Sequence, residues 1–188
     1  NFDYTGKEHI TPLFNAIVQK KVLSVHYAPF NGEPFTLTFH PHYLKQYNGR
    51  WFVFGLNEQI GVPTWNIALD RIQELTPLTD AYIPSTIDWE YYFSDIVGVT
   101  RLAGELVQIE LLFSPQRAKY VLTKPLHESQ LHQLREDGLF VRLKLVPNPE
   151  LEQLILSFGE DVKVLQPESL ATRISARAQA MVGLYENK

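Results

Sequence analysis

The side chains best suited to bind a ligand lie between residues 27 and 71. His40 and His42 alternate along one predicted strand, and their imidazoles donate hydrogen bonds and gain charge below about pH 6.5. Arg50 offers a planar fork that holds a phosphate through two hydrogen bonds, and Lys45 offers a point charge. These groups suit an anionic, partly flat ligand such as a nucleotide. The other candidates are aromatic, amide and guanidinium side chains, namely Tyr27, Trp51, Asn66 and Arg71.

Several of these candidates have an equally good structural explanation. Trp51 either stacks on a base, which contributes about 1–3 kcal/mol per base, or packs in the core. Arg71 follows Asp70, so a local ion pair or a backbone anchor explains it as well as a ligand does. Lys45 and Arg50 flank a predicted turn, where solvated charges are common. The sequence leaves these alternatives open.

The histidines and the neutral polar groups also have alternatives. A His-x-His pair on a strand points both rings the same way, and His26 lies on the preceding predicted strand, which suggests a metal site. No acidic third ligand is apparent nearby, and half-buried structural histidines remain the simpler explanation. Tyr27 either offers its hydroxyl to a ligand or caps a barrel. Asn66 either contacts a base edge or satisfies a backbone group at a strand end.

No motif indicates an enzyme or a cofactor. Ser94-Asp95, Ser114 and Ser157 lack a nucleophile elbow, and glycines 49, 55 and 61 are scattered rather than clustered into a phosphate loop. The sequence therefore predicts a non-enzymatic protein without a cofactor.

Composition indicates a folded protein that does not hold duplex DNA by itself. The 188 residues are 45% hydrophobic, with no cysteine and no apolar run of membrane-spanning length, so we expect a cytoplasmic protein with no membrane contact. The net charge is −4, and residues 1–84 and 85–188 each carry more acidic than basic groups. The chain begins with Asn1 rather than methionine, which predicts a fragment that lacks an N-terminal domain.

The first half has the pattern of a small β-barrel. Thr11 and Pro12 predict the start of a helix over 12–21, and β-rich runs follow at 22–27, 35–44, 50–56, 64–69 and 72–75. Strict alternation over 35–44 predicts that His40 and His42 share the outer face, with an edge or a bulge at Pro41. In the return strand, Phe52 is expected in the core.

The second half has a different rhythm. A short helix is predicted over 88–97, followed by strands and helices in the order β-α-β-β-α-β-α. The strands fall near 107–113, 129–134, 139–146 and 162–165, and the helices near 115–122, 149–158 and 167–184. This order is typical of a ferredoxin-like domain with one added helix.

Several motifs, in order, resemble the WYL domain family. In the first half these are Val25-His26-Tyr27, His40-Pro41, Leu44, Trp51-Phe52-Val53 and Leu69-Asp70-Arg71-Ile72. The second half resembles the family's usual C-terminal extension at Leu112-Phe113-Ser114, Leu126-His127, residues 154–159 and residues 162–167. The resemblance covers residues 9 to 185, and the ordered set is more specific than the Trp-Tyr-Leu tripeptide that names the family.

The resemblance implies an α+β protein: an Sm-like or SH3-like barrel over residues 1–84, then a linker and a ferredoxin-like extension over 85–188. It implies the ligand-sensing part of a bacterial transcription regulator, a homodimer that meets duplex DNA only through a missing N-terminal winged helix-turn-helix. The implied ligand is an anionic small molecule, a nucleotide or single-stranded nucleic acid. An interaction module without a ligand and a histidine-based metal domain are the alternatives.

Two positions depart from the family pattern. The family tyrosine is Phe52 here, so its hydroxyl is lost, and an arginine common in the family is replaced by Trp65. One cation that would hold a phosphate is therefore absent. This change favours a ligand that binds by stacking rather than by charge alone.

Overall fold

The computed structural model describes residues 5–186, so Asn1 and the outermost residues of both predicted domains lie outside the described part. The chain forms two compact units, of which the first ends at Trp89 and the second begins at Glu90. Each unit contains helices and one antiparallel sheet, which confirms the predicted α+β class. No helix among residues 5–186 is both long and apolar enough to cross a membrane.

The first unit is a five-stranded antiparallel sheet preceded by one helix. The helix is α1, Ile10–Val18, and the strands are β1 Leu23–Tyr27, β2 Phe35–Tyr47, β3 Arg50–Asn57, β4 Val62–Ala68 and β5 Ile72–Pro77. Their order across the sheet is β4-β3-β2-β1-β5. Asn48 and Gly49 both have positive φ, as the predicted tight turn between β2 and β3 requires.

Helix α1 begins earlier than the sequence indicates. A 3-10 turn over Lys7–His9 precedes it, and His9 rather than Thr11 occupies the N-cap position. Leu13 and Ala16 face the core, whereas Phe14 is 56% exposed. Propensity located the helix, but the preceding turn, which the sequence did not reveal, set its first residue.

A bulge between Pro41 and Tyr43 changes which side chains of β2 face the core. The bulge at Pro41 was one of the two predicted possibilities. Before it, Leu37 and Phe39 face inward, and after it Leu44 does. The extra residue reverses the alternation beyond the bulge, but His42 still lies on the same side as His40, because both rings contact Tyr82 and both bond to Ile83.

Strand β3 has its faces reversed relative to the prediction. Val53 lies in the core and is fully buried, and Trp51 packs against the same core, as its structural interpretation held. The expectation that Phe52 lies in the core is therefore wrong. Gly55 lies under the bulge, where a Cβ atom would come within 2.1 Å of the His40 carbonyl oxygen, so only glycine fits without moving the strand.

The second unit is a four-stranded antiparallel sheet with four helices. The helices are α2 Trp89–Phe93, which starts at the unit boundary, α3 Pro115–Thr123, α4 Pro149–Leu156 and α5 Glu168–Glu186. The strands are β6 Val107–Phe113, β7 Leu131–Arg135, β8 Gly138–Leu145 and β9 Val162–Gln166, in the order β7-β8-β6-β9. Ser114 and Asn148 cap α3 and α4 through their side-chain oxygens.

Candidate ligand-binding site

A cluster of two arginines and two aromatic rings lies at one end of the first sheet. The Arg71 guanidinium carbon is 3.7 Å from the centre of the Phe30 ring, and the Arg50 carbon is 5.6 Å from the same centre. An Arg71 Nη1 donates to the Tyr27 hydroxyl over 3.4 Å, and Arg50 forms an ion pair with Asp70 at 3.0 Å. We call these five residues the arginine cluster. Its guanidinium planes and exposed ring provide flat stacking surfaces beside positive charge.

Local folding brings these residues together from four parts of the chain. Arg50 is the first residue of β3, directly after the tight turn, and Tyr27 ends β1. Asp70 and Arg71 lie in a 3-10 turn over Leu69–Arg71 that joins β4 to β5. Phe30 lies in the loop between β1 and β2 and is 70% exposed.

The charges of the cluster are only partly balanced. Asp70 neutralises one of the two arginines, which leaves a net charge of +1. The Nε of Arg71 is buried and has no hydrogen-bond partner among residues 5–186, and the same is true of Oδ1 of Asp70. A buried donor without a partner is costly, but this atom is covered, so the donor that a ligand can reach is the partly exposed guanidinium of Arg50.

His40 and His42 belong to a different group. The ring of His40 is fully buried; its Nδ1 accepts from the Ile83 backbone N–H over 3.0 Å, and its Nε2 lies 3.1 Å from Glu58. Nε2 of His42 donates to the Ile83 carbonyl over 2.9 Å. The Tyr82 hydroxyl donates to the Pro41 carbonyl over 2.7 Å. The bulge of β2 thus fastens residues 82–83 to the sheet.

The two groups are too far apart to form the single cationic face that the sequence suggested. Arg50 pairs with Tyr47 in the sheet register, whereas His40 pairs with Leu56. Six residues of strand β3 separate these positions, which corresponds to roughly 20 Å. Of the eight predicted site residues, the arginine cluster contains Tyr27, Arg50 and Arg71.

The remaining predicted residues lie elsewhere on the first sheet. Lys45 is half-buried on β2 and faces Phe52 across the strand pair, and Asn66 is exposed on β4 beside Phe54. Trp51 is half-buried against the core. None of these three is among the residues that define the arginine cluster.

No metal site is found in the described part of the chain. Residues 5–186 contain no group of three or more histidine and acidic side chains that could hold a metal ion. His26 bonds to the Thr36 hydroxyl over 3.0 Å instead of approaching the other histidines.

The sequence did not single out Phe30, Tyr82 or Glu58. Phe30 stands in a predicted turn region, where an aromatic residue gives no periodic signal. Tyr82 and Glu58 contact the histidines from loops more than fifteen residues away in the chain. The signal that could have drawn attention to Phe30 was its position directly before Asn31-Gly32, a common turn pair.

We expect the stability of the first unit to fall in mild acid because of His42. Burial, together with the nearby His40, lowers the pKa of His42 below its usual value, despite the bond to Ile83. An unfolded histidine titrates near pH 6.5, so stability declines as the pH falls below about 6.5 and the loss is complete below the lowered pKa. The slope from this one proton is at most about 1.4 kcal/mol per pH unit. Thermal unfolding of wild type and His42→Gln between pH 8 and pH 5 measures it.

Glutamine retains a donor for the Ile83 carbonyl but does not titrate, so His42→Gln should show a shallower decline. The other ionisable groups that face His42 are His40 and Tyr82, and Glu58 lies beyond His40. All three remain in the variant. Equal slopes for the two proteins would show that His42 is not responsible.

Each of the two units contains a match to a known domain family. Residues 8–77 match the WYL domain, and residues 105–182 match the WCX domain. No curated protein sequence matches the chain.

Two solved structures are similar to nearly the whole chain. Proteasome accessory factor B/C (PafBC) of Arthrobacter aurescens is 18% identical, with a TM-score of 0.39, over 97% of this chain and 28% of that one. A CRISPR Cas-related protein is 10% identical, with a TM-score of 0.51, over 96% of this chain and 51% of that one. The chain therefore spans about half or less of the length of these relatives. The similarity to the CRISPR Cas-related protein, at 10% identity, is a similarity of fold alone.

Both units thus match the two domains in the expected order, and the motifs around Leu69-Asp70-Arg71-Ile72 fall within the first match. The chain belongs to the WYL-domain family, with a WYL domain followed by a WCX domain.

Proposed function

We propose that this chain is the ligand-sensing and dimerisation part of a DNA-binding transcription regulator, and that its ligand is a nucleotide or single-stranded nucleic acid. The observation that carries the proposal is the arginine cluster, where Arg71 lies flat against the exposed ring of Phe30. We place the protein in the cytoplasm and assign it no enzymatic role. Contact with duplex DNA belongs to a separate domain, since the net charge here is negative.

The cluster supports a ligand that is both flat and anionic. A base can stack on Phe30 or on a guanidinium plane, and its phosphate can accept from Arg50, whose side chain is 42% exposed. Asp70 already neutralises part of the positive charge, so stacking contributes more here than in a site held by charge alone. This agrees with the loss of one family arginine at Trp65.

The strand orders support the expected architectures of both units. The order β4-β3-β2-β1-β5 in the first sheet is compatible with an Sm-like or SH3-like barrel. In the second, two helices alternate with four antiparallel strands ordered β7-β8-β6-β9, which is the arrangement expected of a ferredoxin-like domain. Helix α5 is the added element.

The apolar surface of α5 supports dimerisation. Met181 and Val182 are about half exposed, and Leu184 and Tyr185 are each 79% exposed near the end of this 19-residue helix. Such a patch is costly in water and is covered when a second copy docks. A ligand would act by binding one arrangement of the two protomers better than the other, thereby respacing the DNA-binding domains.

The double variant Arg50→Ala/Arg71→Ala tests the sensor. A 5′-phosphorylated dinucleotide should raise the unfolding temperature of wild type and leave the variant unchanged, because the two guanidinium groups are lost. Lys119→Ala/Lys124→Ala removes the same charge from exposed positions on and just after α3 and should keep the full response. Thermal-shift titration with the dinucleotide and with divalent metal salts measures both.

Three results would contradict the sensor. Equal responses of the two variants would assign the effect to general charge, and stabilisation by metal alone would favour a metal domain. Absence of any response in wild type would leave an interaction module without a ligand, for which the internal Arg50–Asp70 ion pair and the exposed end of α5 are the supporting observations.

A further inference from the structure

Within residues 90–186, the second sheet has one buried face and one face whose side chains are mostly exposed or half-buried. The buried face contains Ile109, Leu111 and Phe113 of β6. Alternate residues on the same strands are mostly exposed or half-buried, and the register aligns them in rows across the sheet. We call this surface the open face; it consists of Gln108, Glu110, Leu112, Leu131, Gln133, Arg135, Phe140, Arg142, Lys144 and Lys163.

The open face is positively charged although the protein is not. It holds four cations against the single carboxylate of Glu110, which lies 3.4 Å from Arg142. Among residues 5–186, Lys144 and Lys163 have no ion-pair partner. In a chain of net charge −4, a surplus of three positive charges on one flat surface is a local concentration that favours an anionic occupant.

Flat groups lie together at the end of the open face that is formed by the β7–β8 hairpin. The Arg135 guanidinium carbon lies 3.9 Å from the centre of the Phe140 ring, and that of Arg142 lies 5.6 Å from it. Because these groups cover the ring, Phe140 is only 8% exposed, while Arg135 itself is exposed. The outer surface of a guanidinium plane that is fixed in this way is a platform on which a base can stack.

We propose that the open face binds single-stranded nucleic acid. Bases stack on the Arg135–Phe140 platform, and phosphates are held by Lys144, further along β8, and by Lys163, across the sheet on β9. A single strand is favoured over a duplex because a duplex keeps its base faces inside its own stack. This surface lies on the second unit and does not involve the arginine cluster, so it stands independently of the function proposed above.

Charge reversal on the open face tests this proposal in the full chain. Lys144→Glu/Lys163→Glu should weaken binding of fluorescein-labelled dT12 at least about tenfold in 50 mM NaCl, measured by anisotropy. The slope of log affinity against log salt should fall by about 1.4, because each phosphate contact contributes about 0.7. Lys119→Glu/Lys124→Glu makes the same change of charge on the side of α3 and should alter the affinity less than about twofold.

A third variant separates stacking from charge. Arg135→Lys keeps the positive charge and loses the flat plane, so affinity should fall about fivefold while the salt slope stays unchanged. All variants carry exposed substitutions, and an unchanged unfolding temperature verifies that each is folded. Parallel titrations with rU12 and with a 12-base-pair duplex distinguish DNA from RNA and single strands from double strands.

The outcomes also separate this surface from the arginine cluster. If dT12 fails to bind wild type, binds no better than the duplex, or is weakened equally by both charge reversals, the proposal is overturned. If Arg50→Ala/Arg71→Ala alone removes dT12 binding, the first unit is the binding site and the open face is not. If that variant loses only the dinucleotide response while Lys144→Glu/Lys163→Glu loses dT12, both sites are supported.

Discussion

Val53→Asp should leave the first unit unfolded, whereas Phe52→Asp should leave it folded. Val53 is fully buried in the core cluster, where a carboxylate would have no cation or donor to pair with. An unpaired buried charge costs several kcal/mol, a large share of the about 5–15 kcal/mol that stabilises a typical domain. Phe52 lies on the other face of β3, half-buried, and its strand partner is Lys45.

Circular dichroism and thermal unfolding of both variants measure this difference. The second unit carries neither substitution, so its unfolding transition serves as an internal reference. Phe52→Asp should lower the unfolding temperature of the first unit modestly, since a half-buried ring is lost but the new carboxylate reaches water and Lys45. If Phe52→Asp destabilises the first unit as much as Val53→Asp does, or more, the assignment of Val53 to the inner face of β3 and Phe52 to the outer face is wrong.

Strand β3 also shows where pattern analysis reaches its limit. Trp51, Phe52, Val53 and Phe54 form a continuous apolar run, so both faces look like a core and alternation cannot distinguish them. In the structure, Val53 faces the core cluster while Phe54 packs against Trp89 on the opposite side. Both faces are in fact covered, and only the long-range partner of each face reveals which is which.

The second unit was easier to predict because its signals are local. Ser114 and Asn148 stand directly before prolines at helix starts, and Gly138, with φ of 142°, closes the predicted hairpin turn. The helices and strands therefore fall close to their predicted positions. The charge of the open face was not predicted, because it becomes visible only when the register of three strands brings Arg135, Arg142 and Lys163 to the same side.

The residues of the candidate site were predicted only in part. The types of Arg50, Arg71 and Tyr27 were readable from the sequence, and all three lie in the arginine cluster. Their separation from His40 follows from the hairpin register, since the turn at Asn48 and Gly49 pairs Arg50 with Tyr47 and leaves His40 opposite Leu56. The structural role of His40 was not readable, because the return of residues 82–83 depends on contacts more than forty residues apart. The imidazoles of His40 and His42, which the sequence suggested as ligand contacts, instead bind Ile83 to the first sheet.

His40→Ala should destabilise the first unit by about 3–5 kcal/mol, the second large effect that we expect. The ring fills a fully buried site, and its removal leaves a cavity and an Ile83 N–H without its acceptor. Denaturant unfolding measures the global loss. Hydrogen exchange at the Ile83 amide measures the local one, because this amide is protected by the bond to Nδ1.

Glu58→Gln is the matched control for His40→Ala. Since Nδ1 accepts from Ile83, the proton of His40 resides on Nε2, and a glutamine oxygen can accept it as the Glu58 carboxylate does. Glu58 is half exposed at its side chain, so the lost charge should cost less than about 1 kcal/mol. A cost equal to that of His40→Ala would mean that the ion pair, and not the buried ring with its bond to Ile83, fastens this segment. Unchanged exchange at Ile83 in His40→Ala would likewise contradict the role assigned to the imidazole, because no other side chain within residues 5–186 bonds to that N–H.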